Sequence, residues 1–235
     1  MFAHACDVFV KNGIAGASVV QCRKGLRAKQ DGSQQGSKVL IRRVCLRRLS
    51  EMAGLPRCSD SSRYHTSDLE TLEMASLSVE PCAGAETLVT LFSVPGTAED
   101  AEAFVQREHE FRFLNVTPTE ADGSPCAQQA VVCAAYSDEE YKALRCAPGE
   151  FEQRYTSRGI DKVWGWAPDE GLLPCRVYLR HCLLAAKGLG EQEYDAFVDG
   201  TFLSDRKTTI REHLERFPEI MTELPPPALA VRYGG

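Results

Sequence analysis

Glu108, in the run Arg107-Glu108-His109-Glu110, has the side chain and the setting for acid–base chemistry. The periodicity predicts a helix over 98–109, which puts Glu108 in its last turn. The negative end of a helix dipole disfavours an ionised carboxylate there. Partial burial acts in the same direction, so the group becomes a better proton acceptor near neutral pH. Arg107 and Arg112 oppose this. The structural alternative is a solvated helix-end acid paired with Arg112. Glu110 is the main rival for the same role, and strand alternation sends it to the side opposite Phe111. His109 adjoins Glu108, but the following residues, Glu-Phe-Arg-Phe, do not complete an HExxH motif, and a surface histidine is expected. His181 and Cys182 are helix neighbours at i,i+1 and do not face each other, which excludes them as a nucleophile–base pair.

No GxSxG, P-loop or GxGxxG sequence occurs. The ten cysteines form no CxxC pair, so the spacing offers no zinc knuckle; they read as reduced, buried thiols. No metal is expected. With 235 residues and 43% apolar content the chain can bury a real core. The net charge of −6 gives no support to nucleic-acid binding. That charge is uneven: the first 50 residues hold ten Lys and Arg against Asp7 and Asp31. No apolar run reaches the ~20 residues of a membrane helix, and no membrane partner is expected. Residues 1–70 are read as a basic extension, flexible or targeting. Within it, Lys24–Lys38 has linker composition and Val39–Leu49 suggests a short amphipathic helix. A cytoplasmic protein is expected, or an organellar one if the basic amino terminus is a transit peptide.

The elements that must hold Glu108 begin near residue 72. Strands are expected at Met74–Val79, Thr87–Val94, around Phe111–Val116, at Ala127–Tyr136 and at Lys162–Ala167. Thr97 has the character of an N-cap, followed by acids and an apolar face at Ala98, Ala101, Phe104 and Val105. In the strand reading, Trp164 and Trp166 share one face and pack in the core. Helices are expected from Pro174 to Gly188 or Gly190, over Glu191–Leu203, and over Thr208–Phe217, closed by Pro218. Pro225-Pro226-Pro227 opens a Pro-rich tail over 223–235. Strands first and helices last make this an α+β domain.

Several pieces, in this order, resemble the γ-glutamylcyclotransferase superfamily. Met74–Pro81 (MASLSVEP) followed by Leu88–Val94 (LVTLFSV) resembles that family's barrel strands. Ala103–Phe113 (AFVQREHEFRF) is similar to its helix-glutamate-strand segment, and Cys182–Gly190 (CLLAAKGLG) to its glycine-terminated helix. The resemblance covers roughly residues 72–222 and gives a domain at 71–222. It implies a small mixed β-barrel with flanking helices and an intramolecular aminolysis. In that reaction the α-amine of a γ-glutamyl group attacks its own γ-carbonyl and releases 5-oxoproline. It further implies Glu108 as catalytic base, no cofactor, and a small γ-glutamyl compound as substrate, with the oligomeric state left open. The family's Tyr-Gly-Ser loop, whose backbone binds the γ-glutamyl group, does not occur in this sequence. Phe2–Asp7 is the nearest candidate remnant. A non-catalytic relative, binding a small metabolite or a protein, is the alternative this departure leaves open.

Overall fold

The computed structural model describes residues 18–21, 37–41, 46–52, 71–82, 87–93, 102, 105–106, 108–120, 124–125, 129–225, 227 and 230. The fold is mixed α/β, with two sheets and a helical last third. The strands are β1 (Ser18–Gln21), β2 (Ser37–Ile41), β3 (Leu46–Met52), β4 (Glu73–Pro81), β5 (Thr87–Ser93), β6 (Arg112–Val116), β7 (Thr119–Glu120), β8 (Ala130–Ala134), β9 (Leu173–Pro174) and β10 (Thr201–Phe202). The helices are α1 (Asp138–Arg145), α2 (Glu150–Arg154), α3 (Arg176–Leu189), α4 (Glu191–Gly200) and α5 (Ile210–Arg216).

The first sheet runs β6-β8-β1-β5-β2-β7 and the second β10-β3-β4-β9. β8 pairs antiparallel with β6 and parallel with β1, and all five of its residues are buried. A strand enclosed on both faces is built from a continuous apolar run, and Ala-Val-Val-Cys-Ala is one. The Ala135 N–H donates to the Val79 carbonyl (2.8 Å), which ties the end of β8 to β4 and so joins the sheets at one corner. Among the described residues the ladders do not close into a barrel, so the small barrel implied by the resemblance is not seen.

Among the described residues, two apolar clusters fill the fold. One gathers Met74, Ala75, Phe111, Tyr141, Phe151, Tyr155 and Trp164. The other joins Leu179, Leu183, Phe197, Val198, Ile210 and Ile220 from the late helices. β4 feeds both, because Met74 and Ala75 enter the first and Leu77 packs on the second. Gly190 takes φ +137 between α3 and α4, as expected of a helix stop. α5 is capped by Thr209, whose hydroxyl accepts from Glu212 N–H while Glu212 returns to the Thr209 N–H.

Three local readings are corrected. Within Val39–Leu49, expected as a helix, the described residues 39–41 and 46–49 belong to β2 and β3, because pairing with β5 and β4 overrides a scattered apolar pattern. Lys162–Ala167 is not a strand. The N–H groups of Val163, Trp164 and Gly165 all point at one carboxylate, that of Asp138, and successive N–H groups of a strand alternate. Asp138–Arg145 is a helix that the periodicity did not reveal, and it is the element on which the candidate site depends.

Candidate active site

α1 starts with a capping box. The Ser137 hydroxyl accepts from the Glu140 N–H (3.1 Å), and the Glu140 carboxylate accepts from the Ser137 N–H (3.2 Å). Acids fill its first turn, and Lys142 and Arg145 its last, both favourable to the dipole. Asp138, Tyr141 and Arg145 stand at i, i+3 and i+7, hence on one face. Together they hold two loops, Asp138 the one at 163–165 and Tyr141 and Arg145 the one at 108–110. The Asp138 carboxylate accepts from Val163, Trp164 and Gly165 N–H at 2.8, 3.0 and 2.9 Å. Arg145 donates from Nε to the His109 carbonyl (3.0 Å) and from an η nitrogen to the Val105 carbonyl (2.8 Å). It thereby serves the carbonyls left open where the helical residues around 105–106 give way to a turn.

That turn is Glu108–Phe111, closed by the Phe111 N–H donating to the Glu108 carbonyl (3.1 Å). Glu108, His109 and Glu110 are all buried, with 9%, 5% and 7% of their surface exposed. Three consecutive buried polar residues require partners. Tyr155 donates its hydroxyl proton to Glu110 Oε1 (2.8 Å), the Tyr155 and Tyr141 hydroxyls lie 2.9 Å apart, and Tyr141 meets His109 Nδ1 at 2.9 Å. On its other side His109 Nε2 faces Glu150 Oε1 at 3.6 Å. Glu150 is itself held by the Ala147 N–H (2.8 Å) and by Arg154 (2.6 Å). Gly149, at φ +78, makes the left-handed turn that starts α2 and presents Glu150.

Burial moves the titrations. Desolvation pushes both tyrosine hydroxyls far above their ordinary value, and the Glu110 charge adds to it, so both remain donors. Desolvation also lowers His109, helped by the Arg154 charge and opposed by Glu110 and Glu150. The Glu150 carboxyl is held below its ordinary range, first by the Ala147 N–H.

Two expectations change on this geometry. His109 is a core residue bonded to Tyr141, not a surface histidine. Glu110 does not alternate against Phe111: it lies in the turn before β6, and both side chains are buried. Trp164 packs in the core edge-to-face on Phe111 (5.6 Å), whereas Trp166 is half-buried and bonds the Lys162 carbonyl. Tyr141, Tyr155, Glu150 and Asp138 were missed. Ser137-x-x-Glu140 was a readable helix start that would have placed Asp138, Tyr141 and Arg145 on one face. No sequence signal pairs Tyr155 with Glu110, 45 positions away. Phe2–Asp7 and Thr97 lie outside the described residues. Among the described residues no group of three or more His, Cys, Asp or Glu is placed to hold a metal. No helix there is long and apolar enough to cross a membrane.

Fold and site thus define a mixed α/β protein with a buried Glu–Tyr–Tyr–His chain beside a second buried glutamate. No protein-family model matches the sequence, and no curated protein matches it. Among solved structures it is similar to one described as a gamma-glutamyl cyclotransferase, with TM-score 0.41 and 10% identity over 88% of this chain and 99% of that one. An uncharacterised protein from Homo sapiens is similar at TM-score 0.41 and 10% identity, over 87% of this chain and 98% of its own. Likenesses at this level transfer neither a residue role nor a reaction.

Proposed function

We propose that this chain is a γ-glutamylcyclotransferase-like enzyme that releases 5-oxoproline from γ-glutamyl compounds, with Glu108 as the base. The substrate's α-ammonium gives a proton to the carboxylate, and the free amine attacks the γ-carbonyl. A C–N bond forms, the attacking nitrogen gives up a second proton, the γ-amide C–N bond breaks, and both protons leave on the departing nitrogen, which ends as an ammonium. Cyclisation supplies its own proximity, and the reaction needs no cofactor. The observation that carries the reading is the burial of Glu108 in a turn fixed by Arg145, within the segment whose residues resemble the family's helix-glutamate-strand. A carboxylate that is largely removed from water, on a backbone held at both Val105 and His109, is suited to proton transfer.

A second reading has its own support. The absent Tyr-Gly-Ser sequence removes the donors expected for the γ-glutamyl group and favours a non-catalytic relative that binds a metabolite or a protein. The two separate in one assay. Purified protein is incubated with a panel of γ-glutamyl compounds, glutathione included, and 5-oxoproline is measured beside Glu108→Gln. Release by the wild type and a loss on the order of 10²–10⁴-fold in the variant are expected. Folded wild-type protein that releases none from any substrate overturns the enzyme reading. Release that survives Glu108→Gln but not Glu110→Gln moves the base to Glu110.

A further inference from the structure

We infer that Glu110, Tyr155, Tyr141 and His109 form a proton-conducting chain linking the buried Glu110 carboxylate to Glu150 at the edge of α2. The argument counts hydrogens. An ionised carboxylate only accepts, and a phenol has one proton to give. Tyr155 gives its proton to Glu110 (2.8 Å), so at the 2.9 Å contact with Tyr141 it accepts, and Tyr141 donates. Tyr141 has then spent its own proton and accepts from His109 Nδ1 at 2.9 Å. The tautomer of His109 follows: the hydrogen is on Nδ1, and Nε2 carries the lone pair towards Glu150. The Cys146 thiol also lies against the Tyr141 hydroxyl, but a thiol is too weak an acceptor to compete with a phenol oxygen.

The chain has one other consistent arrangement. A proton taken up at Nε2 makes His109 an imidazolium. Nδ1 then passes its proton to Tyr141, Tyr141 to Tyr155, and Tyr155 to Glu110. Three O–H or N–H bonds break and three form. His109 ends neutral with hydrogen on Nε2, Glu110 ends as a carboxylic acid, and every hydrogen bond in the row is reversed but kept. One proton has crossed from the outer side of His109 to the buried acid without any heavy atom moving. The charged groups facing His109 are Arg145 from α1, Glu150 and Arg154 from α2, and Glu110 from the turn. The His109–Glu150 distance of 3.6 Å exceeds a hydrogen bond by about 0.7 Å, so the outermost transfer takes one water or a small closing movement. Tyr141 and Tyr155, 0% and 2% exposed, shield the middle of the row from solvent.

A role in catalysis rests on the proposed cyclisation and on Glu110, two residues from the proposed base Glu108, exchanging a proton with the reacting groups; the chain itself does not depend on that reading. The test uses the full-length protein labelled with 15N-histidine, and His109 is assigned by loss of its signals in His109→Gln. Long-range 1H–15N correlation at neutral pH is expected to find the Nδ1–H tautomer. In Tyr155→Phe, Tyr141 loses its acceptor and turns its proton to Nδ1, so the two nitrogen signals should exchange character to Nε2–H. An Nε2–H tautomer in the wild type, or an unchanged tautomer in folded Tyr155→Phe, overturns the chain. Should that variant fail to fold, Tyr141→Phe removes the acceptor of Nδ1 and predicts the same loss of the Nδ1–H form. Where the wild type makes 5-oxoproline, Tyr155→Phe should lower kcat on the order of tenfold or more with KM little changed, and alter the solvent isotope effect. Absence of 5-oxoproline ends the functional reading while the tautomer still decides the chain.

Discussion

Replacing Gly165 by Ala should cost stability only while Asp138 is present. A Cβ on Gly165 would sit 2.7 Å from Asp138 Oδ2, closer than packed atoms tolerate. A side-chain oxygen can usually retreat, but this one accepts from Gly165 N–H while its twin accepts from Val163 and Trp164 N–H, so moving it loosens three bonds. Overpacking of this kind costs about 1–3 kcal/mol. Asp138→Ala removes the clash together with the clamp. It leaves the N–H groups of the buried residues Val163 and Trp164 without their carboxylate, for about 3–5 kcal/mol in total. In that background Gly165→Ala should fall to within ~0.5 kcal/mol of neutral, or stabilise slightly by restricting the unfolded chain. The double-mutant cycle, read by urea unfolding, should therefore give a coupling of about 1–2.5 kcal/mol. Additivity within ~0.5 kcal/mol would refute the clamp as the reason for glycine at 165.

Other outcomes follow from the same contacts. Ser137→Ala and Thr209→Ala each break a capping box and should each cost about 1 kcal/mol, additively, since they cap separate helices. His109 and His213 are both lowered below the ordinary value of 6.5, by burial first and then by Arg154 and Arg176 respectively. The fold favours their neutral forms, so this contribution is complete above pH 6.5 and is lost as pH falls through the lowered folded values. Urea stability should decline from pH 7.5 to 5, and stability that rises over that window contradicts the burial of these rings. Leu183→Ala, at a fully buried site in α3, should cost about 2–5 kcal/mol by thermal or urea unfolding.

The strands were legible where one chain segment carries its own signal. Thr87–Ser93 and Ala130–Ala134 are runs of β-branched and apolar residues, and β5 and β8 lie within the expected ranges. The late helices were legible for the same reason, with Gly190 and Pro218 marking their ends. α1 was not, because its seam is short and its inward residues include an acid and an arginine. A hydropathy pattern scores Asp138 and Arg145 as outward, whereas here both spend their charges on backbone groups. Lys162–Ala167 misled for the converse reason: Trp164 and Trp166 alternate in sequence, but the backbone obeys a carboxylate supplied from elsewhere. At the candidate site, the acidic run 108–110 was visible and its enclosure was not. Tyr141, Glu150 and Tyr155 reach it from two later helical segments, and contacts across such separations leave no periodic trace.

The placing of β1 sets a timetable. Ser18–Gln21 lies between Thr87–Ser93 and Ala130–Ala134, so the first strand among the described residues pairs on both sides with chain that does not yet exist when it leaves the ribosome. At about 5–20 residues per second, the second of those partners arrives roughly 5–20 s later. During that interval β1 is made but stands without the neighbour β8, so the part β6-β8 of the six-stranded sheet cannot yet be joined through it to β5-β2-β7. Nascent chains of this protein therefore stay open to holdase chaperones, and to proteases, until synthesis has passed the middle of the sequence.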